Sequence, residues 1–139
     1  MTAATTDRNT YRQYIQRQIA IPLTAATDIP AGVIVMALAA TGTALNGADT
    51  AAGVVMGIST QSVSYAAGDR TCIVERGAYW LANDGTITAA NVGMPCEVKD
   101  NQTVSLVTTT NHIVAGYIEA VDTTLGVCVA MLGGKVGAA

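Results

Sequence analysis

The sequence predicts an all-β module, an antiparallel jelly-roll-like sandwich or barrel with an extended N-terminal arm. Three observations predict it. About eight short runs of β-type residues follow one another, punctuated by Gly, Pro, Asn and Asp. No convincing helical pattern separates them, which favours antiparallel pairing over crossover units. Aromatic residues are only 4% of the chain and Phe is absent, so core volume must come from Ala, Val, Ile, Leu and Met. That suits a thin sandwich better than a thick layered fold. At 139 residues the chain makes one domain, of a size that buries roughly 68–70% of its unfolded surface.

The elements divide into an arm at 1–17, a β-domain at 18–132 and a flexible tail at 133–139. The arm is polar and poor in core-forming residues. Tyr11, Tyr14, Ile15 and Ile19 stand at helical spacing, compatible with a short amphipathic helix that is marginal alone. The arm is therefore expected to order only when docked. Ile19–Leu23 alternates, and Pro22 within it demands an edge position because it cannot donate to a ladder. Asp28–Gly32 reads as a turn into Val33–Met36, an apolar run suited to burial on both faces. Thr41–Gly53 is loop-like. Val54–Ile58 is a strand in which Gly57 marks a bulge or a close backbone approach.

Ala66–Asp69 turns the chain into Thr71–Glu75, where Cys72 and Val74 share one face and Ile73 and Glu75 the other. Gly77 bends the chain into Ala78–Leu81, and Asn83-Asp84-Gly85 is a hairpin-turn signal. Further strands are expected around Cys96–Val98, at Thr103–Val107, at Ile113–Ile118 and at Val127–Leu132. Of the adjacent rings Tyr79 and Trp80, one faces the core and the other outward, and the core position is favoured for Trp80.

Composition narrows the function. Charged residues are 12% of the chain, about half the roughly 25% usual for soluble domains. A surface so poor in charge is expected to be covered by a partner or by its own copies. Residues 1–21 carry a balance of +2 from Arg8, Arg12 and Arg17 against Asp7, and the remainder carries −5. An acidic body argues against a nucleic-acid binder. The three cysteines, Cys72, Cys96 and Cys128, are an odd number without C-x-x-C spacing, as expected of buried free thiols in a reducing compartment. The opening residues lack the basic and apolar regions of a secretory leader, and no membrane segment is expected.

Chemistry-bearing patterns are missing from the sequence. The single histidine, His112, has no nucleophile aimed at it and reads as a turn residue. Gly57-Ile58-Ser59-Thr60-Gln61 lacks the final glycine of a nucleophile elbow, and Gly133-Gly134-Lys135 lacks the first glycine of a phosphate loop. One histidine and three scattered cysteines match no zinc spacing. Asp28, Asp49, Asp69, Asp84, Asp100 and Asp122 all fall in turn-like contexts. Neither an enzyme nor a cofactor or metal protein is expected.

Several pieces carry a resemblance by their order: Tyr14-Ile15-Gln16, Ile29-Pro30-Ala31-Gly32, Val55-Met56-Gly57-Ile58 and Ala66-Ala67-Gly68-Asp69, then Gly77, Val92–Cys96 and Ile113–Ile118. In this layout the chain resembles, over 14–132, the small capsid decoration (cement) proteins of tailed double-stranded DNA bacteriophages. The resemblance implies a non-enzymatic, jelly-roll-like or barrel protein on the outside of an expanded capsid. It further implies a protein made in the host cytoplasm that clamps neighbouring copies of the major capsid protein against internal DNA pressure. Dimers of the chain are expected ahead of trimers, with no direct contact to nucleic acid or membrane. Candidate partner-binding residues are Arg8, Tyr11, Arg12, Tyr14 and Arg17 on the arm, with Tyr79 and Trp80 on the body. The rival expectation is a head-fibre or host-surface module that binds glycans.

Overall fold

The computed structural model describes residues 2–50, 53–106, 111 and 113–131, with the backbone alone for 12–16. His112, Val107, Leu132 and the expected tail at 133–139 lie outside the described residues. The strands are β1 (Arg12–Pro22), β2 (Asp28–Ile29), β3 (Ile34–Leu38), β4 (Ala44–Asn46), β5 (Gly53–Ser59), β6 (Val63–Ser64), β7 (Thr71–Asn83), β8 (Pro95–Val98), β9 (Thr103–Ser105), β10 (Val114–Asp122) and β11 (Gly126–Met131). A 3-10 turn at Ala89–Asn91 precedes β8. The protein is all-β.

The 13-residue β7 organises the sheet. Its first half pairs with β1 along one edge and β5 along the other. Its second half pairs with β11, and at Ala82 and Asn83 it runs parallel to β9. From β11 the ladder passes through β10, β8 and β9 back to β7, so the sheet closes into a barrel. From β5 it passes to β3 and β4, where Ala44 bridges to Leu23 just beyond β1. A second ring thus nearly closes on the other side of β7. The two-residue strands β2 and β6 pair with each other.

Two cores follow from the two rings. One gathers Ile34, Met36, Tyr79, Leu81, Val98, Ile118 and Val129. The other gathers Ile21, Leu23, Val33, Val35, Cys72 and Val74. Alternation along β3 sends Ile34 and Met36 to the first core and Val33 and Val35 to the second. The expectation of burial on both faces holds for that reason. Cys72 and Val74 share a face as the sequence implied, whereas Tyr79 and Leu81 lie on the opposite one. The exchange of buried face occurs around Gly77, which pairs with Ile15 and Met131 without interrupting the strand. The expected bend is therefore a change of core within one strand.

The helical spacing at Tyr11–Ile19 does not prevail. Residues 12–22 are a strand, because Ile19, Ile21 and Leu23 supply a period of two that faces the second core while β7 satisfies the backbone. The Leu23 N–H donates to the Arg70 carbonyl at 2.8 Å, so Ile21 and Ile19 also turn their backbone groups toward β7. Pro22 then turns its nitrogen away from β7, where a missing donor costs no bond of the β1–β7 ladder. Gly57 marks both a bulge and a close approach. The register skips Met56 between Val35 and Met36, and a Cβ at Gly57 would meet the Glu75 carbonyl.

At Asn83-Asp84-Gly85 a turn forms, but it joins no hairpin, since β7 ends there and the next strand comes only after the 3-10 turn. Asn83 Oδ1 accepts the Gly85 N–H at 2.8 Å, and Asp84 accepts the Thr86 N–H at 3.1 Å and hydroxyl at 2.5 Å. Burial opposes ionisation of Asp84, yet bonds from Thr86 and Ser105 and the Lys99 ammonium at 3.6 Å hold its carboxyl below the usual range. Asp84→Asn is expected to cost about 2 kcal/mol, read by urea denaturation at neutral pH. The wild-type advantage should fade as pH falls through the lowered carboxyl pKa, because protonation then removes the same charge. An undiminished difference in strong acid would assign the effect to shape instead.

Candidate functional site

The N-terminal segment is stitched across the body rather than held apart from it. Ala4 N–H donates to Asn101 Oδ1 at 2.6 Å, and the Asn101 amide returns a bond to the Ala4 carbonyl at 2.9 Å. Gln102 donates to the Thr2 carbonyl at 2.6 Å. Farther on, Arg8 N–H donates to the Ala31 carbonyl at 2.8 Å, and Asp7 accepts the Ala31 N–H at 3.1 Å. The Thr10 hydroxyl donates to the Gly32 carbonyl. Trp80 N–H then donates to the Tyr11 carbonyl at 2.9 Å, which leads the chain into β1. The expectation of order only on docking misses these bonds, since partners some 97 residues away leave no local pattern.

This crossing brings Arg8 and Tyr11 to Trp80. Arg8, half buried, donates from Nη1 to Thr10 Oγ1 at 2.6 Å and to the Trp80 carbonyl at 3.4 Å. Tyr11 is 60% exposed. Arg12 stands opposite Tyr79 and Tyr14 opposite Ala78 in the β1–β7 register, and the side chains of both lie outside the described set. Arg17 is exposed on β1 opposite Arg76.

The aromatic pair splits in the opposite sense to the one favoured. Tyr79 is the core ring, 1% exposed with its hydroxyl 3.5 Å from Glu75 Oε2, and Trp80 is only half buried on the other face. Register decides it: the face that Leu81 and Tyr79 share is the one turned into the closed barrel. Tyr79 therefore offers no contact surface, and Trp80 does.

Arg8 also lines an open depression of about 570 Å³ with Asn83, Thr88, Asp122, Thr124 and Leu125. Burial lowers the Arg8 pKa, and no carboxylate pairs with it among the described residues. Asp122 on the far side is engaged by its own turn, accepting N–H bonds from Leu125 at 2.8 Å and Thr124 at 2.7 Å that hold its carboxyl low. A second exposed area is apolar. Val92 and Met94 flank Gly93, whose N–H donates to the Ile118 carbonyl at 2.7 Å, and exposed Pro95 pairs with exposed Tyr117. Sequence reasoning missed this group because its members are close only across the β8–β10 ladder.

Ser59 and Asn101 are engaged inside the body. The Ser59 hydroxyl is buried, donates to the Pro30 carbonyl at 2.5 Å and accepts the Val33 N–H at 3.1 Å. Asn101 is 2% exposed and engaged by Ala4 and Asn46. Among the described residues no three His, Cys, Asp or Glu side chains converge to hold a metal ion. No family model matches this chain, and no curated protein or solved structure matches it either.

Proposed function

We propose that the protein is a structural cement of a phage capsid. It sits on the outside of the expanded shell in the virion and clamps neighbouring major capsid subunits, without catalysis, cofactor or contact to nucleic acid. In this reading the barrel is of the jelly-roll-like kind, residues 1–17 are its arm, and the chain works as a homodimer. The supporting observation is the surface. Val92, Met94 and Tyr117 gather beside the β8–β10 ladder as exposed apolar side chains, and Tyr11 and Leu125 are exposed elsewhere, on a two-core body with few charges. Such areas mark contact sites. A specific contact takes roughly 800 Å² from each partner, a modest share of the 6670 Å² available. Repetition over a lattice turns modest contacts into avidity.

The test is co-sedimentation with expanded shells of the phage or prophage that encodes the chain. Binding is expected to saturate at a fixed small-integer ratio of copies to capsid subunits. Trimming residues 2–11, which leaves β1 intact, should weaken it at least about tenfold. No binding to intact shells would end this reading.

The second reading, a head-fibre or host-surface module, is favoured by the depression beside Arg8. Its volume of about 570 Å³ and its lining of Asn83, Thr88 and Thr124 suit a sugar. A glycan screen separates the two.

A further inference from the structure

Across the β1–β7 ladder Arg17 stands directly opposite Arg76. Opposed residues of an antiparallel pair leave the same face with Cβ atoms roughly 4.5–5.5 Å apart, where like charges destabilise. Neither guanidinium has an acid among the described residues. Arg76 donates from Nε to the Met56 carbonyl at 2.9 Å and turns Nη2 to the Met56 sulfur at 3.9 Å. The nearest acid along the strand, Glu75, leaves the opposite face and accepts the Gln18 amide at 2.7 Å. Alternation from Ile21 and Ile19 places Arg17 on the side of the second core, beyond its end. Desolvation and then the charge of Arg17 both lower the Arg76 pKa. Two cations therefore leave the same face at opposed positions of the ladder, with no acid paired to either among the described residues.

We propose that Arg17 and Arg76 form a two-guanidinium seat for a carboxylate, supplied by an acidic side chain of the partner protein. A carboxylate has two oxygens and about four lone-pair sites, so each oxygen can take a charge-assisted bond from a different arginine. Its arrival converts a like-charge repulsion into a bridged pair. That the carboxylate belongs to a capsid subunit rests on the cement reading; the seat itself does not.

The experiment follows the arginine Nε–H resonances of the full chain at low salt during titration with acetate, an oligo-glutamate peptide and inorganic phosphate. Arg17 and Arg76 are expected to shift together and saturably with the carboxylates, while Arg70, already stacked over Tyr65 at 3.7 Å, stays still. Arg17→Gln and Arg76→Gln should each abolish the response. Without added anion Arg17→Gln should melt about 2 °C higher than wild type, because the repulsion is gone. Equal shifts of Arg17, Arg76 and Arg70, or a lower melting temperature for Arg17→Gln, would overturn the seat. Tighter saturation by phosphate than by the peptide would overturn the carboxylate assignment. With shells, Arg17→Gln should lose at least about tenfold in affinity. Anion binding lost while shell binding stays intact would leave the seat standing and remove only the capsid as its partner.

Discussion

Gly32→Ala is expected to unseat the N-terminal segment and to cost about 3 kcal/mol in urea denaturation. Gly32 has φ 77°, in the left-handed region that disfavours a Cβ. A Cβ built there runs into the Arg8 carbonyl and lies 2.9 Å from Thr10 Oγ1. Backbone on both sides leaves little room to give. The Gly32 N–H is committed to the Ser59 carbonyl at 2.9 Å, and Ser59 is fixed in turn by Pro30 and Val33. The segment at 7–10 must therefore lift, losing its bonds to Ala31 and Gly32. Amide exchange should accelerate at Arg8 and Thr10 well before the barrel opens. Unchanged exchange at those two amides, with an unchanged midpoint, would refute this account of Gly32.

The second large effect is alkaline. Cys72, Cys96 and Cys128 are buried free thiols. Burial pushes their pKa values up, to about 11 for Cys72, about 12 for Cys96 and about 11 for Cys128, where the Glu119 charge adds to it. The folded state thus keeps protons that the unfolded chain releases near the ordinary thiol value. Stability conferred by the neutral thiols is complete below that value and falls as pH rises above it. Each thiol accounts for on the order of 1 kcal/mol by about pH 10, so roughly 3 kcal/mol should disappear between about pH 8 and about pH 10. Urea denaturation under reducing conditions measures the decline, and Cys96→Ala should flatten it by about a third. A wild-type slope that Cys96→Ala leaves unchanged would show that other groups dominate. The same burial predicts that thiol reagents modify the protein only as fast as it opens.

Much of the barrel is legible in the residues. Val33–Met36, Cys72–Val74 and Val127–Val129 read as buried strands because apolar content and alternation are local properties. Pro22 announces an edge and Gly57 a bulge because a missing donor and a missing Cβ constrain the backbone wherever they occur. Short elements are invisible for the converse reason. β2, β4 and β6 hold two or three residues each, too few for a period, and exist only because a neighbour offers a free edge. At the site, sequence supplies the arginines and aromatic residues but not their meeting. Arg8 reaches Trp80 only because β1 returns to β7, and Trp80 rather than Tyr79 faces outward because of a register settled by Leu81. Arg76 escapes notice altogether, since its significance lies in the residue paired with it.

One consequence of the shared strand concerns birth rather than binding. Residues 12–22 wait for 71–79, and both rings are completed along the same β7. As the chain leaves the ribosome, everything before Thr71 can form the β3–β4 and β3–β5 pairings, the β2–β6 contact, the Leu23–Ala44 bridge and the bonds of residues 7–10 to Ala31 and Gly32, but it closes neither ring. Ile34, Met36 and Val55 lack the Tyr79 and Leu81 that share their core until β7 is made. Distant pairing of this kind slows folding and lengthens exposure to aggregation. How soon the newly made chain is safe from aggregation is then limited by how fast a single strand finds its neighbours on both sides.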